Sequence, residues 1–194
     1  MHARERAQLV ESIAMQRQVA ENAVRIAAGR PVHVGPVTLL PRFNAVATTA
    51  PPSGAEGLRG GYGAELYDAT DPRQSSAALA AWTIAGAAAL AVPGVEGVTW
   101  FEQWGPRGLV SSSGEPFPVA EALGWLRELS GLPLLADPEA GRNGVWVLAA
   151  RRGSVVVVLA ANLTAGARSV SVALPDGATT ELELGALGTA RVEL

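Results

Sequence analysis

The chain has no cysteine. That excludes disulfides, thiolate nucleophiles and Cys-based metal sites, and it fits a reducing compartment. Histidine is almost as scarce, with only His2 and His33 present. A three-ligand zinc site would then need several carboxylates, so neither a metal nor another cofactor is expected. Charged residues make up only 17% of the chain and the net charge is -3. The 15 Lys and Arg are scattered, with no basic stripe and no interleaved aromatics to follow a phosphate backbone, so nucleic acid is not an expected partner. Also missing is a basic cap followed by an apolar run and a small-residue cleavage site, and the expected location is therefore cytoplasmic.

One stretch without any charge, Ala77 to Val95, is nearly long enough to cross a membrane. Its strongly apolar residues are few (Leu79, Trp82, Ile84, Leu90, Val92, Val95), alanine contributes little to insertion, and Pro93-Gly94 interrupts it. It reads as a helix buried inside a protein, and no membrane contact is expected. What the chain does have is apolar content: 48% of 194 residues are hydrophobic, enough to bury a core in one domain or two small ones.

Apolar residues at Leu9, Ile13, Ala20, Val24 and Ala27 return to one helical face, which predicts a helix over residues 3–28 that stops at Gly29. The run VHVGPVTLL, residues 32–40, lacks charge on either parity, as a parallel strand covered on both faces would. It closes in PRFN, which puts Arg42 and Asn44 just past the strand end. Residues 45–71 are rich in Gly, Pro, Ser and Thr and too long for an ordinary connection. Gly60-Gly61-Tyr62-Gly63 within them follows no strand and precedes no Gly-Lys-Ser/Thr, so it is read as a lid and not a phosphate loop. Asp71 and Arg73 read as a helix cap and loop clamp ahead of a helix over residues 75–91. A second buried strand, GVTWFEQW at 97–104, follows, then a loop and a helix opened by Pro118 and ended by Gly131. From Val145 the period becomes alternating, and VWVLAAR, SVVVVLAANLT, RSVSVAL, TTELELG and ARVEL read as five short strands.

The expected fold is therefore α/β followed by all-β: a partial (β/α) TIM barrel over residues 1–137 made of its last two β/α units, then a small antiparallel β-sandwich over 143–194. The strands at 32–41 and 97–103 should pair in parallel through a right-handed crossover.

In such a barrel the active site forms at the C-terminal strand ends, so the candidates are Arg42, Asn44, Trp100, Glu102, Gln103, Trp104 and Arg107. Strand alternation puts Trp100, Glu102 and Trp104 on one face, at the barrel interior or its mouth. A carboxylate between two indoles suits an acid, base or transition-state stabiliser in a sugar-sized pocket. The competing assignment is a structural ion pair between Glu102 and Arg42 or Arg107. Arg42 and Asn44 either bind substrate hydroxyls or an oxyanion, or cap the strand end. His33, at a strand start, reads as a core or bottom-loop histidine. Asn162-Leu163-Thr164 matches a glycosylation acceptor that has no use without secretion.

Three strings, VTLLPRFNAVAT (37–48), DPRQSSAALAAWTIAGAAAL (71–90) and VTWFEQWGPRGL (98–109), resemble in that order the last two strand-helix units of the barrel in D-apionate lactonase-like proteins. The strands from Val145 resemble that family's C-terminal sandwich. The resemblance implies hydrolysis of the lactone of a branched sugar acid, with a sugar lactone or carbohydrate as the small-molecule partner, on a fold similar to retaining glycoside hydrolases. A glycosidase needs two carboxylates from different strands, and the strand at 32–40 ends without one, which favours the lactonase. Two strands cannot close an eight-stranded barrel, so the chain is expected to be a fragment of a longer enzyme, inactive alone or completed by another chain in an oligomer. A noncatalytic carbohydrate-binding or interaction module stands as the alternative from a different class. Its sandwich strands offer a single aromatic, Trp146.

Overall fold

The computed structural model describes residues 6–39, 71–135, 137, 140–174, 177 and 179–194. Helix α1, Arg6–Ala27, leads into strand β1, Val32–Val37. A 3-10 turn at Pro72–Ser75 opens helix α2, Ala77–Leu90, which is followed by strand β2, Val95–Trp100. β1 and β2 pair in parallel, with Val32 opposite Val95 and Val34 opposite Val98, the pairing expected of a β-α-β unit.

α2 explains its own composition. Eleven of its residues are buried, and Leu79, Ile84 and Leu90 are 3% exposed or less. A helix that is apolar all round must be covered all round. Here α1, helix α3 (Pro118–Glu128), the β1-β2 pair and the C-terminal sheet surround it. Small alanine side chains let these neighbours approach closely, while each fully buried large side chain contributes roughly 1.5–3 kcal/mol. No helix among the described residues is long and apolar enough to cross a membrane. Pro118 occupies the first turn of α3, where its missing N–H costs nothing, and Val119 and Ala122 are the buried contacts of its inner face.

The β1-β2 pair departs from the sequence expectation in one respect: it is covered on a single face. Val34, Val37, Val98 and Trp100 pack toward Ala20, Val24 and Leu90 of the helices. His33 and Thr99 are exposed on the other face, so His33 is not a core residue.

The C-terminal part starts with strand β5, Leu134–Leu135, which pairs with β6 (Val145–Arg152); β7 (Val155–Asn162) and β10 (Thr189–Glu193) complete an antiparallel sheet in the order β10-β7-β6-β5. β5 joins this sheet although it precedes residue 137, where the barrel part was expected to end. β8 (Arg168–Ala173) and β9 (Thr179–Leu184) form a separate antiparallel hairpin. β7 is buried on both faces, which is why it reads VVVVLAAN without alternation. Trp146, Leu148, Val157, Leu159 and Ala161 share one cluster with α1, α2 and α3, and Val156, Val158 and Ala160 face Leu182 and Leu184 of the hairpin.

Candidate active site

The site builds from the end of β2. Trp100 is the strand's last residue, and Phe101 follows in a left-handed conformation at φ 38°, which is uncommon for a bulky side chain. The kink buries the Phe101 ring and starts a new short strand, β3, Glu102–Trp104. The chain then turns through Gly105 and runs as β4, Gly108–Val110, beside β3, with Glu102 opposite Gly108. Gly108 has no substitute here: a Cβ would lie 2.7 Å from the backbone nitrogen and carbonyl carbon of Trp104.

The kink corrects the expectation that Trp100, Glu102 and Trp104 share one face. A strand interrupted at Phe101 does not carry its alternation across the break. Trp100 belongs to the helix-facing side. Its ring meets Trp82 edge-on at 6.4 Å and lies over Gly86 of α2, half-buried against the helices. Trp104 is 62% exposed and Gln103 is exposed. Arg42 and Asn44 lie outside the described residues.

Of the predicted site residues among the described ones, Glu102 and Arg107 come together. Arg107 Nη2 sits 3.0 Å from Glu102 Oε1, with both side chains mostly withdrawn from solvent. Arg107 Nε is buried and has no hydrogen-bond partner among the described residues. An arginine fork with an unused buried donor beside a carboxylate is a pairing that can bind an oxygen-rich ligand as well as its own glutamate.

Sequence reasoning missed the support behind this pair. Gln74 is 4% exposed and its amide donates to the Gly108 carbonyl at 2.9 Å, so the 3-10 turn is pinned to β4 at Glu102's register partner. Immediately before it, Asp71 caps the turn by accepting from the Arg73 backbone N–H at 2.9 Å, and the Arg73 guanidinium grips the same carboxylate through Nε and Nη2. Burial works against ionisation of Asp71, but the Arg73 hydrogen bonds and charge outweigh it and hold the carboxyl below its ordinary value. The expected clamp is thus present, while the cap serves the 3-10 turn and the N-cap of α2 itself is Ser76. The signal for Gln74 was its place in DPRQ, directly after the long loop, but a buried long-range amide contact leaves no periodic trace.

Among the described residues no group of three or more His, Cys, Asp or Glu could hold a metal ion. Trp146, the one aromatic of the C-terminal strands, is 6% exposed and packs inward, so it offers no exposed ring to a glycan.

A parallel β-α-β unit with charged side chains gathered just past a strand end defines an α/β unit of the kind that builds (β/α) barrels. Residues 1–131 match the family model for the D-apionate lactonase TIM barrel domain. The chain belongs to the D-apionate lactonase family. Among curated proteins, none matches it.

Proposed function

We propose that the chain carries the last two β/α units of a (β/α) barrel, followed by a small β-sandwich domain, and that it serves a hydrolase opening the lactone of a sugar acid. The observation that carries this reading is the family match over residues 1–131, together with the Glu102-Arg107 pair at the end of β2 inside the matched segment. In lactone opening, water attacks the carbonyl carbon, a C–O bond forms, the ring acyl C–O bond breaks, and the departing alkoxide takes a proton. Glu102 is assigned to accept the water's proton and deliver it to the alkoxide, and Arg107 to hold the oxyanion of the tetrahedral intermediate. Trp104 and Gln103, exposed beside the pair, are assigned to the sugar's C–H face and hydroxyls, and Arg42 and Asn44 to substrate hydroxyls. Trp100 supports the site from behind through Trp82 and leaves the substrate-binding set. Binding at the carbonyl end selects a lactone of a hydroxy acid, D-apionate lactone being the form the family suggests.

A second reading has an observation of its own. The 3.0 Å contact between Arg107 and Glu102 is also the geometry of a structural ion pair.

The substrate class is tested by pH-stat titration of sugar-acid γ-lactones beside p-nitrophenyl glycosides, using the chain and any longer product of the same reading frame. Acid release from lactones with none from glycosides supports the proposal. Glycoside cleavage, or turnover of neither by a folded longer product, overturns it.

A further inference from the structure

The outer face of the C-terminal sheet is covered unevenly. Over β7, Val156, Val158 and Ala160 are buried beneath Leu182 and Leu184 of β9. Over β6, the corresponding residues Val145, Val147 and Ala149 are only half-buried. The difference is a cleft of about 1000 Å³ floored by those three residues and walled by Val170 and Val172 of β8. Pairing with β9 occupies one edge of β8; the opposite edge has no backbone partner among the described residues and lines this cleft.

Strand edges in folded proteins are normally guarded by charge, proline, a bulge or a cover. Two other edges of this region are guarded by charge. β10 carries Arg191 and Glu193, ion-paired with Glu128 and Arg152. β9 presents Glu181 and Glu183. β8, with the sequence RSVSVA, has neither proline nor charge after its first residue. The cleft's charge sits at its ends, with Arg168 on the same strand face as Val170 and Val172, and Arg142 and Asp137 at the rim.

We propose that this cleft accepts one extended polypeptide strand from outside these 194 residues, added to the free edge of β8. Its backbone would pair with β8, and apolar side chains at every second position would cover Val145, Val147 and Ala149. A carboxylate at the end beside Arg168 would complement the basic end of the cleft. The proposal is independent of any activity at Glu102.

The probe is a fluorescein-labelled heptapeptide alternating valine and threonine, with glutamate at its C-terminal end for antiparallel pairing, titrated with the chain by fluorescence anisotropy. Saturable binding is expected, on the order of 100 μM for so short a strand. Val147→Lys should weaken it at least about tenfold by placing a charge on the cleft floor. Arg168→Glu should weaken it too, and a peptide carrying lysine in place of glutamate should restore binding to that variant. Circular dichroism melts verify that both variants fold. Absence of saturation by about 1 mM peptide, or equal binding by the Val147→Lys variant, overturns the proposal. So does a dimer in sedimentation that Val147→Lys dissociates, since the cleft would then be filled by a second copy.

Discussion

Asn162 is fully buried at the end of β7 and its amide is used at every position. Its Nδ2 donates to the carbonyls of Gly166 and Gly185, each at 2.8 Å. Its Oδ1 accepts from the Thr164 backbone N–H at 2.9 Å and the Thr164 hydroxyl at 2.8 Å. One side chain thereby ties the loop after β7 to the turn before β10. Asn162→Ala removes these four short bonds, along with a 3.5 Å contact from Nδ2 to the Leu184 carbonyl. At about 1 kcal/mol net for each, with the partly exposed partners at Gly166 and Thr164 regaining water, the expected cost is about 3 kcal/mol. For a chain of this size that is a melting-temperature drop of roughly 6–12 °C. Asn162→Asp should cost more near neutral pH, because a carboxylate facing two carbonyls can donate to neither, and its deficit should shrink as acid protonates it. Urea unfolding followed by circular dichroism, with calorimetry, measures both. A loss below about 1 kcal/mol for the alanine variant would show that water replaces the amide and that the two loops are held by other contacts. The same burial makes the Asn162-Leu163-Thr164 match inert in the folded chain, since Nδ2 is already engaged.

Three further outcomes follow from the geometry. Ile84, at 0% exposure in the centre of α2, should cost roughly 2–5 kcal/mol when changed to alanine, measured by urea unfolding, because neighbours on all sides cannot collapse into the gap. Asp71 has a folded-state pKa below its unfolded value, so its contribution is present above that unfolded value and is lost as pH falls through the folded one. Asp71→Asn should therefore be less stable than the parent at about pH 7, with the gap closing below about pH 4 in melts across that range. The outer edges of β1 and β2 are unpaired among the described residues, so sedimentation should show self-association; a monodisperse monomer with a cooperative melt would show that these edges need no partner.

Much of the fold was legible because its strongest signals were long. α2 announced itself through the absence of charge over 77–95, and the structure gives the reason: partners surround it. The parallel pairing of β1 with β2 followed from two apolar runs separated by that helix. The site was less legible because it depends on a break. Nothing in the residue type of Phe101 signals a positive φ, and one left-handed residue ended the alternation from which the faces of Trp100 and Glu102 were inferred. Coverage of the β1-β2 pair was misjudged for a related reason, since a charge-free run such as VHVGPVTLL does not say whether its second face is covered within the same chain. Contacts of long sequence separation, Gln74 to Gly108 and Leu134 to Ala150, leave no periodic mark at all.

The most direct test of the account is Glu102→Gln, read simultaneously as turnover of a sugar-acid lactone and as thermal stability. The amide keeps the shape and most of the hydrogen bonding toward Arg107 but removes the titrating group. The account predicts a melting temperature near the parent's and a loss of roughly two or more orders of magnitude in kcat. Unchanged kcat with a lowered melting temperature would contradict it, and would make Glu102 and Arg107 a structural ion pair.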